Sequence, residues 1–114
     1  MLRLEATLKA WDMPDFKTVL RDELVETRAL ERPMQLGLTY GTVALPEGLK
    51  FVVLEAHDDD TRIRIHGGVH YSSVTTGSNC IDAPSPLSEM PEYVEVDIVI
   101  DRATADATVS LAAD

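Results

Sequence analysis

The strongest constraint on the fold is a period of two that recurs in two separate stretches. Between Tyr93 and Ile100, Val94, Val96, Ile98 and Ile100 occupy one phase, with Tyr93, Glu95 and Asp97 on the other. Between Arg62 and Ser72, Ile63, Ile65, Val69 and Tyr71 share a phase, and Arg62, Arg64, His66, His70 and Ser72 take the opposite one. Successive side chains of a strand point to opposite faces, so each stretch reads as a strand with one dry and one wet face. Antiparallel sheets are the kind that leave one face to water. The chain is therefore expected to build such a sheet and to cover only one side of it.

The remaining segments supply the cover. Asp12 reads as an N-cap, with Pro14 in the first turn. Phe16, Val19, Leu20, Leu24, Thr27 and Leu30 follow at helical spacing, which predicts an amphipathic helix over 13–31 that Pro33 stops. Upstream, Leu2, Leu4, Ala6, Leu8 and Ala10 alternate with polar residues and predict a first strand. Downstream, Met34, Leu36, Leu38 and Tyr40 predict another over 34–45, with Gly37 and Gly41 stacked on its other face, where a sheet can bend. Pro46-Glu47-Gly48 reads as a turn, Phe51 to His57 as a strand, and Asp58-Asp59-Asp60 as a solvated hairpin tip. Thr61 to Val74 is one long strand or two, depending on whether Gly67-Gly68 is a bulge or a hairpin turn. Residues 75–92 read as a long irregular loop, and a last strand follows the Asp101–Asp106 turn. The order β-α-β-β-β-β-β predicts a single α+β domain over 1–114, with a curved antiparallel sheet of about five or six strands on one N-terminal helix. A helix about 10–12 Å wide spans only two or three strands. The rest of the sheet must then curl around the helix or meet a second subunit.

Charge narrows the partners. Of the 114 residues, 20 are acidic and 10 are Lys or Arg, a formal net charge of −10 at pH 7. Residues 1–50 carry a net −1 and residues 51–114 a net −9, where Arg62, Arg64 and Arg102 are the only bases. Nucleic acid and anionic membrane surfaces need clustered Lys and Arg, so neither is an expected partner. No apolar stretch approaches the length of a membrane span, and the start carries no signal-peptide pattern. Cys80 is the only cysteine, which rules out an intramolecular disulfide. A cytoplasmic address is the expectation.

The candidate chemistry lies on the wet phase of 62–72. Arg62, Arg64, His66 and His70 in one row suit a carboxylate or phosphate, with a histidine moving a proton and Glu55 nearby on the neighbouring strand. Against this stands simple neutralisation, since Glu95, Asp97 and Glu55 face the same way. His66 and His70 have metal-ligand spacing only on a helix. On a strand they lie about 13 Å apart, so no metal or other cofactor is expected. Asp58-Asp59-Asp60 lacks the alternation, glycine and terminal Glu of an EF-hand loop. Cys80 sits in a loop that can expose its thiol, without a local catalytic signature. The expected function is a non-catalytic, intracellular protein-binding or self-associating domain with an acidic second half. The alternative is a small anionic-ligand binder or an enzyme using the Arg62/Arg64/His66/His70 row, with Glu55 and Cys80 as further candidates.

Overall fold

The structure, a computed structural model, describes residues 2–75 and 89–112. Three short helices, α1 (Glu5–Lys9), α2 (Phe16–Glu26) and α3 (Glu31–Leu36), precede four strands, β1 (Val43–Asp58), β2 (Arg62–Val74), β3 (Met90–Asp101) and β4 (Ala107–Leu111). The strands form one antiparallel meander in the order β1-β2-β3-β4. The fold is α+β, as the patterning implies. The order is ααα-ββββ, not β-α-β-β-β-β-β, and among the described residues the sheet has four strands, not five or six.

The corrections concentrate in the first half. Residues 5–9 are helical although 2–10 alternate, because Leu4, Thr7 and Ala10 also recur at a helical interval and all three are buried. Leu, Ala, Glu and Lys are good helix formers, so propensity and burial prevail over a short alternation. The start of α1 is held by the α2 carboxylate of Glu23, which accepts the backbone N–H of Ala6 and Thr7 at 3.1 and 2.8 Å and the Thr7 hydroxyl at 2.7 Å. The expected helix 13–31 begins at Phe16, and Asp12 does not cap it. It buries Phe16, Leu20 and Leu24 and ends when Arg28 turns left-handed (φ 60°). The amide of Ala29 then bonds back to the carbonyl of Leu24 at 3.0 Å, a helix-ending arrangement that usually takes glycine. Pro33 does not stop a helix. It is the third residue of α3, where no intrahelical N–H is required.

The expected strand 34–45 is likewise replaced. Met34 and Leu36 belong to α3, and β1 begins only at Val43. Gly37 ends α3 directly against the sheet, where a Cβ would lie 2.3 Å from the Val94 methyl. Gly41 lies equally close to Ser73. These glycines permit close approach of a loop to the sheet and do not bend a strand. Pro46-Glu47-Gly48 is a bulge within β1, between the pairs Leu45–Ser72 and Lys50–His70, with Gly48 at φ +77°.

The alternating stretches behave as read. Residues 62–74 form one continuous strand through Gly67-Gly68, and the register slip falls on β1 at Leu54, between Val53–Gly67 and Glu55–His66. Ile63, Ile65, Val69 and Tyr71 of β2 and Val94, Val96, Ile98 and Ile100 of β3 are buried against Leu4, Phe16, Leu20, Leu24, Leu30 and Met34. The Asp58–Asp60 segment is the β1–β2 tip. The Asp59 carboxylate accepts the amides of Thr61 and Arg62 and the Thr61 hydroxyl, which holds its pKa down at about 2. Arg102 joins this tip to the β3–β4 turn through Asp58 and the carbonyl of Asp59.

One buried carboxylate fastens the helical layer to the sheet. Glu92, 4% exposed, follows the apolar phase of β3 and accepts the amides of Thr39, Tyr40 and Gly41 at 2.8, 2.9 and 3.1 Å and the Ser73 hydroxyl at 2.7 Å. Burial alone raises a carboxyl pKa, but these four donors outweigh it and hold the group down at about 2. A pKa depressed in the folded state stabilises fully above the unfolded value of 4.5 and is lost as pH falls towards about 2. Glu92→Gln is expected to cost about 2–4 kcal/mol at neutral pH, since an amide nitrogen then faces backbone donors. In urea titrations the gap between wild type and variant should narrow from pH 5 to about 2 as the carboxyl protonates. A gap that stays constant with pH would contradict this anchoring role.

Candidate functional site

The helices lie on one face of the sheet, and the wet phases of the strands form the opposite, open face. β2 contributes Arg62, Arg64, His66 and His70 in a row, and β3 contributes Tyr93, Glu95, Asp97 and Asp101 beside it. The register sets Arg62 against Asp101, Arg64 against Val99, His66 against Asp97 and His70 against Tyr93. On the other side, β1 places His57 against Arg64 and Glu55 against His66. Four of the six candidate residues therefore share one row, and Glu55 neighbours it. Cys80 lies outside the described residues, as do residues 76–88 of the expected loop. Of the loop's described positions, Thr75 and Glu89 lie outside the strands, whereas Met90, Pro91 and Glu92 belong to β3.

His66 is the most constrained member of the row. Its Nδ1 lies 2.8 Å from an Asp97 carboxylate oxygen and its Nε2 2.7 Å from one of Glu95. A neutral imidazole has a single donor, so only the imidazolium serves both carboxylates. The bond to Asp97, then that to Glu95, raises the His66 pKa above its usual 6.5. In turn, His66 and then the Tyr93 hydroxyl, 3.0 Å from the other Glu95 oxygen, lower the pKa of Glu95. The Tyr93 ring lies over Gly68, where an added Cβ would sit 2.5 Å from its hydroxyl, and packs on His70 with ring centroids 4.6 Å apart. Glu55 turns towards His57, at 3.7 Å, and takes no part in the His66 bracket.

This arrangement limits the chemistry. A histidine protonated at both nitrogens and held between two carboxylates is not a free general base at neutral pH. The guanidinium groups of Arg62 and Arg64, by contrast, are exposed and make no hydrogen bond or close ion pair among the described residues, although the charge of Arg64 reaches Asp59. Arg64 and His57 border a shallow concavity of about 730 Å³, whose other walls include Leu54, Glu55, His66, Glu95, Asp97 and Val99. Three carboxylates in that wall oppose a small anion as much as Arg64 attracts one. Val52, Leu54 and Tyr93 expose 46%, 45% and 42% of their surface on the same side. Among the described residues no group of three or more His, Cys, Asp or Glu side chains is placed to hold a metal ion. No described helix is long and apolar enough to cross a membrane.

The acidic excess of the second half is largely used inside the molecule. Glu92 anchors residues 39–41, and Asp58 and Asp59 build the β1–β2 tip. Asp101 caps the amides of Ala103 and Thr104, Asp106 pairs with Arg3 at 3.0 Å, and Glu95 and Asp97 bracket His66. The sequence places Glu92 at the end of the expected loop; the alternation of Val94 to Ile100, carried back one step, would have marked it as a carboxylate in the apolar phase. The Tyr93–His70 contact was not legible, because it depends on register. Comparisons with known protein families, with curated proteins and with solved structures find no match to the chain.

The His66 cluster makes a pH prediction. A raised histidine pKa stabilises fully below the unfolded value of 6.5, and that contribution is lost as pH rises through the higher folded value. The His66 ring resonance in NMR should titrate with a midpoint above 6.5. Asp97→Asn should lower that midpoint, and Glu95→Gln should lower it less. A midpoint at or below 6.5 in the wild type would refute the bracketed imidazolium.

Proposed function

We propose that the chain is a non-catalytic protein-binding domain whose working surface is the open face of the sheet. The observation that carries this reading is the division of labour along β2. His66 is saturated by Glu95 and Asp97, whereas the guanidinium groups of Arg62 and Arg64 stand exposed with no hydrogen bond or close ion pair among the described residues, next to exposed Val52, Leu54 and Tyr93. Apolar side chains interspersed with uncommitted guanidiniums are the composition of a protein-recognition surface, in which arginine and tyrosine are enriched. The acids that give the second half its charge are mostly engaged within the fold, so recognition falls to this face and not to a diffuse acidic field.

A second reading rests on the concavity beside Arg64 and His57. There a small ligand carrying both an anionic and a cationic group meets Arg64 on one wall and Glu55 or Asp97 on another. Thermal-shift measurements with phosphate, a simple dicarboxylate and a zwitterionic amino acid separate the two. Under this second reading Tm rises with the zwitterion alone; under the protein-binding reading none of the three moves it.

The main test is capture from native lysate at low and high salt, with the wild type and Arg62→Glu/Arg64→Glu side by side. The wild type is expected to retain a protein that high salt releases and the variant does not hold, since charged contacts are screened. Identical capture by both proteins, or no capture, would count against the open face as the binding surface. The variant itself should stay within about 0.5 kcal/mol of wild-type stability, because it alters exposed side chains.

A further inference from the structure

We infer that the open face binds the same face of a second copy of this chain, through a two-fold axis lying in the interface, parallel to the strands and between β2 and β3. This rests on the protein-binding reading above and specifies the partner. The argument comes from how charge is sorted by strand. On the open face β2 presents Arg62, Arg64 and the protonated His66, whereas β3 presents Glu95, Asp97 and Asp101. The two columns are adjacent, in register and opposite in sign.

Such a pattern selects among the ways two copies can meet face to face. A two-fold axis parallel to the strands exchanges the columns, so each β2 lies over the β3 of the other copy at the same height. Arg62 then faces the level of the second copy's Asp101. Arg64 faces the level of its Val99, with its Asp97 and Asp101 two residues to either side, about 6–7 Å along the strand. Both are within reach of an arginine side chain, and a carboxylate has acceptor positions left after one bond. The in-plane axis perpendicular to the strands instead lays β2 over β2 and sets arginine against arginine, a repulsive match. The same charges thus favour one two-fold arrangement and oppose the other, and the contact is isologous and closed.

The footprint bounds the affinity. The span from Arg62 to His70 covers about 27 Å along the strands, and four strands cover about 15–19 Å across, or about 400–500 Å² per copy. Stable interfaces average about 800 Å² per partner, so this dimer belongs to the weak, transient class. Charge carries much of it, and it is therefore salt-sensitive.

Sedimentation velocity over a concentration series tests the inference. At low salt the wild type should show a reversible monomer–dimer equilibrium that shifts to monomer in high salt. Arg64→Glu should weaken the dimer by at least about tenfold, and Asp97→Lys should do the same. Mixing the two variants should restore dimer, because each supplies the charge that the other needs. Thermal melts of both variants confirm that they are folded; where either is not, Arg62→Glu, which should weaken the dimer likewise through the second copy's Asp101, replaces the loss-of-dimer arm without the mixing arm. A wild type that stays monomeric at every concentration in low salt overturns the inference. So does a dimer that the charge reversals leave unchanged. If the wild type is monomeric while Arg62→Glu/Arg64→Glu still loses a captured protein, only the second-copy inference falls and the protein-binding reading stands. If neither effect is found, both fall.

Discussion

Everything in this molecule depends on the strict alternation of β2 and β3. Side chains of a strand leave it by turns to opposite sides, so burying Ile63, Ile65, Val69 and Tyr71 obliges Arg62, Arg64, His66 and His70 to share the other face. The same holds for Val94, Val96, Ile98 and Ile100 against Tyr93, Glu95 and Asp97. Three short helices supply enough apolar surface to close one side of the meander. The other side is left with a composition that the alternation had already determined.

Polar groups hold the two layers in place where apolar burial does not specify position. Glu92 gathers the amides of residues 39–41 and the Ser73 hydroxyl into one buried site, fixing where the chain crosses from α3 to β1. Nearby, the Tyr71 hydroxyl donates to the Met34 carbonyl at 2.6 Å, which ties β2 to α3. Glu23 does the same between α1 and α2, and Arg102 between the two hairpin ends. No buried side-chain polar atom among the described residues is left without a partner. Much of the acidity of the second half is therefore a structural resource, used at named positions within the fold.

The strands of the second half were legible in the sequence, whereas of the first half only the helix around Phe16–Glu26 was, for a physical reason. Residues 62–74 and 93–100 lie in long strands with one buried face, and period two is then enforced over many positions. Residues 2–10 and 34–45 belong to short helices and connections, whose few apolar residues fit a helical interval as well as an alternating one. The break at Arg28 had no glycine to announce it, and Pro33 is placed where a helix tolerates it. The row Arg62, Arg64, His66 and His70 followed directly from the alternation. How far each member is engaged did not, because that depends on pairing His66 with Asp97 and on the Tyr93 ring crossing Gly68, both set by register between strands.

The central claim is that the open face of the sheet is the surface on which this chain meets a second copy of itself. It is tested most directly by following amide and arginine side-chain NMR signals through a dilution series at low salt. The account predicts concentration-dependent shifts confined to outward-facing residues of β2 and β3, centred on Arg64 and Asp97, with the helices silent. Shifts centred on α2 or α3, or signals that do not move with concentration, would contradict it.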